Sequence, residues 1–321
     1  MITEEIPAAL AGERLDRIVS LVTSASRSDA AELIRAGGAT VDGEVSLIGK
    51  LRLHEGQIVV VDEALLPVPA LPQPDDSVEF TVVHEDADVI VIDKPAGLVV
   101  HPGAGNPDKT LVNGLLARYP EIVDVGEAHR PGIVHRLDIG TSGLLAVART
   151  QLAYHSLVGA LSEREVGRVY TALVWGHPAN LHGLIDAPIG RDHRDPMRMA
   201  VVVDGKVART RYWVRQTYSV PAECALLECR LETGRTHQIR VHLAAIGHPV
   251  VSDGTYGGGR DMIVAERPFL HAAGLEFEHP VTGESLAFSS PLPDDLQGLL
   301  DVLIADANVD DVISDDPENG D

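Results

Sequence analysis

The run Arg130-Pro131-Gly132-Ile133-Val134-His135-Arg136-Leu137-Asp138-Ile139-Gly140-Thr141-Ser142-Gly143-Leu144-Leu145 joins an apolar stretch to a turn rich in glycine and hydroxyl side chains. It predicts a strand from Ile133 to Leu137 that carries His135, Arg136 and Asp138 into a cleft, with Asp138 at the strand's end. Arg136, two residues before Asp138, would share its side of that strand. Glycine permits a sharp bend there, and loops set on a rigid scaffold are where binding and catalytic groups gather. A lone Asp in a loop is more often a turn or capping residue, so the run needs support from elsewhere in the chain.

Outward from it, short strands are expected around Val82, Val89 to Ile92, Leu144 to Ala148, Val169 to Trp175, Arg209 to Val214 and Ala225 to Leu231. Helices are expected near Thr110 to Tyr119, Leu152 to Glu163 and Thr236 to Ile246, in the last of which Ile239, Leu243 and Ile246 share an inward face with Arg240 beside it. The fold class is α+β, built on a mainly antiparallel sheet. Upstream, Arg14 to Val19 and Ser28 to Ile34 read as two helices, with Ser26 or Ser28 as N-cap and Gly37-Gly38 as the stop. Ala39 to Val45 reads as a hairpin about Asp42-Gly43, and Gly56 to Val61 as a closing strand. The alternating prolines between Leu65 and Asp76 make an extended spacer, which places domains at 1–70 and 71–305.

Charge argues against nucleic acid at first, since the chain carries a formal net charge of -22 and phosphate affinity comes from Lys and Arg. Residues 306–321, however, hold Asp306, Asp310, Asp311, Asp315, Asp316, Glu318 and Asp321 with no Lys or Arg, and read as an acidic disordered tail. Conversely Arg191, Arg194, Arg198, Lys206, Arg209, Arg211 and Arg215 meet only Asp192, Asp195 and Asp204 within their own stretch, which suggests a local basic surface. No apolar run reaches the roughly 20 residues of a membrane span, and Met1 to Glu5 lacks a basic signal-peptide start, so a cytoplasmic protein is expected. Cys224 and Cys229, five apart on one strand, point to opposite faces and read as free thiols.

His135-Arg136-Leu137-Asp138 followed by Thr141-Ser142-Gly143 resembles the first motif of the RluA/RluD-type pseudouridine synthases. Val99-Val100-His101-Pro102-Gly103-Ala104-Gly105-Asn106 resembles the RluD branch, and Glu232 to His242 resembles the family's third motif, extended by Gly247-His248-Pro249, Asp253, Tyr256-Gly257 and Phe269 to Ala272. Residues 13–62 resemble the S4 RNA-binding fold, so the likeness covers 13 to about 300. As a set these motifs are specific, whereas each five-residue piece alone is weak. The chain departs at Ile139-Gly140, often Lys-Asp, and at Arg168, where Lys is common.

The resemblance implies a small S4-like module followed by a catalytic domain with a curved mixed sheet, acting on large-subunit ribosomal RNA or its assembly precursor as a monomer. It makes Asp138 catalytic, as nucleophile or as proton acceptor from the sugar, and pairs it with Arg240, because a buried Asp needs a nearby cation to stay ionised. Tyr170 would stack on the uracil or remove its C5 proton, Leu270 would line the pocket, and Arg136 would fill the stack vacated by a flipped base. His135, Arg14, Arg27 and Arg35 complete the expected RNA contacts. Isomerisation involves no redox change, so no cofactor is expected, and His237, His242 and His248 lack the spacing of a metal site. Two other classes are less well supported: a non-catalytic RNA-binding factor, against which the joint presence of Asp138, Tyr170 and Arg240 argues, and a nucleoside or glycoside hydrolase, which would want a second carboxylate near Asp138 that the sequence does not make evident.

Overall fold

Alternation of buried and exposed residues builds the first of two compact units, Met1–Ala70 and Leu71–Asp321. The structure is a computed structural model that describes residues 1–23, 25, 27–66, 71–103, 105–195 and 198–305. Ser24, Ser26, residues 67–70 within the proline spacer, Ala104, residues 196–197 and the acidic tail lie outside the described residues. In the N-terminal unit the chain runs β1 (Ile2–Glu5), α1 (Leu15–Thr23), α2 (Arg27–Arg35), β2 (Ala39–Val41), β3 (Glu44–Val45) and β4 (Ile58–Val61). The strands form an antiparallel sheet in the order β1-β4-β2-β3.

Leu15, Ile18 and Val19 of α1 and Ala30, Leu33 and Ile34 of α2 recur at helical spacing and bury completely, in one cluster with Ala39, Val59 and Val61 of the sheet. Each such aliphatic side chain contributes about 1.5–3 kcal/mol. The α2 helix stops at Gly37, in the left-handed conformation at φ +83°, with Gly37 N donating to Ile34 O and Gly38 N to Leu33 O. Asp42 and Gly43, at φ 52° and 86°, make the hairpin turn, as two positive φ values in a row require. Ser28 falls inside α2 rather than capping it, because the helix already begins at Arg27.

The larger unit continues with β5 (Thr81–Glu85), β6 (Val89–Lys94), α3 (Leu111–Arg118), β7 (Ser142–Ala148), α4 (Gln151–Glu163), β8 (Gly167–Trp175), β9 (His182–Asp186), β10 (Ile189–Arg191) and β11 (Met199–Val201). It ends with β12 (Arg209–Val220), β13 (Cys224–Leu231), α5 (Gln238–Ala245), β14 (Leu270–Glu278), β15 (Ser285–Ser289), α6 (Asp294–Asp301) and β16 (Ile304–Ala305). One ten-stranded sheet runs β16-β12-β13-β8-β14-β7-β6-β5, with β15 on β14 and β9 on β12. It is a mixed sheet: every pairing is antiparallel except β7 with β14. All seven residues of β7 are buried, which is why Ser142 to Ala148 reads as an unbroken run of small and apolar residues.

Ile133 to Leu137 is not a strand. Only Ile133 bridges, to Val147, and the rest is irregular, so Asp138 sits in a turn ahead of β7 rather than at a strand's end. Ile246, expected to face inward, lies just past α5 and is 38% exposed, while Arg240 is buried with Ile239 and Leu243. Cys224 and Cys229 are buried and not joined in a disulfide, and burial pushes the Cys229 thiol up to about 12. Among the described residues no helix is long and apolar enough to cross a membrane.

Candidate active site

The turn at Asp138 is fixed by its backbone before any functional group is considered. Thr141 N donates to Asp138 O at 3.0 Å, Gly97 N to Ile139 O at 2.7 Å and Arg267 Nη1 to Gly140 O at 3.2 Å. Downstream, Ser142 Oγ lies 2.9 Å from His271 Nδ1, and His271 Nε2 lies 3.1 Å from Ser290 O. A carbonyl only accepts, so His271 carries its proton on Nε2 and takes the Ser142 hydroxyl proton at Nδ1. Gly143 completes the clamp: at φ +112° it passes so close to β14 that a Cβ would stand 2.2 Å from Ala272 O.

Into this turn projects Arg240 from α5. Its Nη1 lies 3.3 Å from Asp138 Oδ2, while Nε and Nη2 grip the fully buried Asp253 at 2.6 and 2.9 Å. Burial alone would lower the guanidinium's pKa, but Asp253 and then Asp138 hold it above the ordinary value. His237 starts α5 in the left-handed conformation, at φ 57°, with Nε2 3.9 Å from Asp138 Oδ1 and Nδ1 2.8 Å from the Tyr256 hydroxyl. Burial lowers its pKa despite the nearby carboxylates, so the ring is neutral at pH 7.

Asp138, Tyr170, Arg240, Leu270, His237 and Arg168 line one cavity of about 450 Å³, a volume suited to a nucleoside-sized group. Tyr170 and Arg168 are two apart on β8 and therefore share its inner face. Burial, with Asp138 adding to it and Arg168 opposing, pushes the Tyr170 phenol up to about 12. The structure brings Asp138, Tyr170, Arg240 and Leu270 together on this one cavity. Arg136 is exposed on the same cavity, as is Arg235.

His135 is differently employed from a phosphate contact. Its Nε2 accepts from Ala146 N at 3.0 Å, and burial, helped by Arg168, lowers its pKa to about 3, so it is an uncharged pin between the Asp138 segment and β7. In the N-terminal unit Arg14 donates through Nε and Nη2 to Asp16, whereas Arg27 and Arg35 stand exposed at the two ends of α2. The roles of His237 and Asp253 were not legible in the sequence, although His237 lies within the third motif and Asp253 within its extension.

The basic stretch is less basic than its own residues suggest. Glu232, at the end of β13, accepts from Arg209 and Arg211, Asp186 from Arg209, and Glu228 from Arg215. Asp86, Asp88 and His279 approach closely enough to share an ion, but their atoms are already engaged. Asp86 accepts from Asp88 N, Val89 N, His84 and His279, and His279 Nδ1 accepts from Val281 N and Thr282 N, which leaves its proton on Nε2, toward Asp86.

The profile of the RNA pseudouridylate synthase family matches residues 88–245. The chain is 46% identical over 315 residues to the ribosomal large subunit pseudouridine synthase D of Xanthomonas campestris, covering 94% of this chain and 92% of that one. It is 44% identical over 316 residues to the protein of the same name from Pseudomonas aeruginosa, covering 94% and 95%. Among solved structures, human RNA pseudouridylate synthase domain containing 1 superposes with a TM-score of 0.58 at 26% identity, over 75% of this chain and 96% of that one. The chain belongs to the RNA pseudouridylate synthase family. It is an RNA pseudouridine isomerase.

Proposed function

We propose that this enzyme converts specific uridines of large-subunit ribosomal RNA to pseudouridine, with Asp138 as the group that acts on the ribose. The substrate follows from relatives so named that match nearly the whole chain. The observation that carries the role of Asp138 is its place in a base-sized cavity, 3.3 Å from an arginine whose other nitrogens are locked on Asp253.

Cleavage of the bond between C1′ and N1 sends its electron pair to the base and leaves electron demand at the sugar, where an adjacent carboxylate is stabilising. Asp138 answers that demand either by bonding C1′ or by taking a sugar proton. The freed base turns within the cavity, C5 bonds C1′, the C5 proton departs, and N1 gains a proton. Atoms and electrons balance without an oxidant or reductant. Tyr170 supplies the flat face on which the uracil lies. With its phenol held near 12, it meets the base as a neutral ring at pH 7, so removal of the C5 proton by its oxygen requires the reaction itself to ionise it.

The target must leave its stack to reach Asp138, and Arg136 fills the gap, a role that its exposure at the cavity supports. The N-terminal unit, two helices on a small sheet, acts as an S4-like RNA-binding module through Arg27 and Arg35, with Arg14 partly neutralised by Asp16. The protein works as a monomer in the cytoplasm. The test is Asp138→Asn, which keeps the shape and removes the charge: release of tritium from RNA labelled at uracil C5 falls to background while melting temperature and RNA affinity stay near wild type. Appreciable release by the folded variant refutes the assignment.

A further inference from the structure

The cations around the cavity differ in their company. Arg240 faces two carboxylates, and Arg130 pairs with Glu127. Arg168 faces none among the described residues. It is 7% exposed, its Nη2 touches only Leu231 O at 3.5 Å, and its Nε is buried without a partner. Gly234 makes room for it, since a Cβ there would lie 2.8 Å from Arg168 Nη1. A buried guanidinium with an unfilled donor is costly, and in a substrate cavity the cost is relieved when an acceptor arrives.

What arrives is decided by depth and by timing. Arg136 and Arg235 are exposed on the same cavity, where a ribose-phosphate backbone passes. Arg168 lies on the inner face of β8 beside Tyr170, where the base goes. Once the bond between C1′ and N1 breaks, the base holds the electron pair as uracilate, and conjugation spreads that negative charge onto its carbonyl oxygens and C5. A donor fixed in advance where charge develops is the most effective kind of electrostatic catalyst.

We propose that Arg168 is a catalytic residue: its guanidinium donates to a carbonyl oxygen of the departing uracil and stabilises the anion until C5 attacks C1′ and the C5 proton leaves. Asp138 then serves the sugar side of the breaking bond and Arg168 the base side. Burial without an anion, which lowers the pKa of Arg168, agrees with this division. The inference rests on the cavity being the uridine site, as proposed above.

The test is single-turnover isomerisation at saturating RNA, with RNA affinity by filter binding, for wild type, Arg168→Ala, Arg168→Lys and Asp138→Asn. Loss of one preorganised donor slows such steps about 10²–10³-fold, so Arg168→Ala falls by that factor while affinity changes less than about twofold, and Arg168→Lys lies between. Millimolar guanidinium restores rate to Arg168→Ala in a saturable manner, whereas urea, of the same shape and no charge, does not. A rate unchanged at saturation with affinity lowered tenfold or more makes Arg168 a phosphate contact and overturns the proposal. Absence of guanidinium rescue in a variant that melts like wild type overturns it too. Turnover by Asp138→Asn removes the reading of the cavity instead, independently of Arg168.

Discussion

Asp253→Asn separates the support of Arg240 from the chemistry at Asp138. Asp253 is 1% exposed in its side chain and grips Arg240, itself 9% exposed, at 2.6 Å. Breaking one partner of a buried ion pair costs about 3–5 kcal/mol. Asparagine keeps an oxygen for the Thr255 and Tyr256 amides that Asp253 now accepts from, and Asp138, 3.3 Å from Arg240, takes over part of the neutralisation. Both favour the lower end, about 3 kcal/mol. At about 2–4 °C per kcal/mol for a unit of this size, the melting temperature drops by about 6–12 °C. Arg240 then loses its two-point anchor and turns toward Asp138 alone, so turnover falls by at least about tenfold, the equivalent of about 1.4 kcal/mol in the barrier. Thermal denaturation by circular dichroism and tritium release at 20 °C or so below the variant's midpoint measure the two effects separately. A midpoint within about 2 °C of wild type would show that Asp253 bears no such load, and the account of Arg240 would fail.

Gly143→Ala puts a Cβ against Ala272 O at a positive φ; strain and overpacking together cost about 2–6 kcal/mol, so chemical denaturation shows a large loss of stability and activity falls with it. Full stability in urea would refute the close approach of β7 and β14. Arg136→Ala slows isomerisation in structured RNA more than in an unstructured strand, because flipping from a stack is the harder step; equal losses on both would reassign it to positioning. At Asp86 burial pushes the pKa up, but His84, the amides of Asp88 and Val89, and His279 outweigh it and hold the carboxyl at about 2. Its stabilisation is therefore full above the ordinary carboxylate range and is lost as pH falls through about 2, so the urea midpoint of Asp86→Asn lies below wild type at pH 5 and converges on it toward pH 2. A gap that persists at pH 2 would contradict that linkage.

The parts of this molecule legible in its sequence are those whose cause is local. Gly37-Gly38 stops α2 and Asp42-Gly43 turns the hairpin because positive φ is a property of one or two residues. The run Ile133 to Leu137 misled for the same reason in reverse: its residues suit a strand, yet a strand exists only where a neighbour completes the ladder, and only Ile133 finds one. The basic stretch misled because its counter-charges, Glu228 on β13 and Glu232 just past its end, arrive with the strand that pairs with β12. The site shows both cases at once. Asp138 and Arg240 were named from motifs 102 residues apart, but the need for Asp253 follows only from burial, since an exposed Arg240 would require no second carboxylate. Arg168 is the complementary case. In sequence it is a substitution that keeps a charge, and only in the fold does that charge emerge as buried and unanswered beside Tyr170, which is what turns it from a strand residue into a candidate for the chemistry.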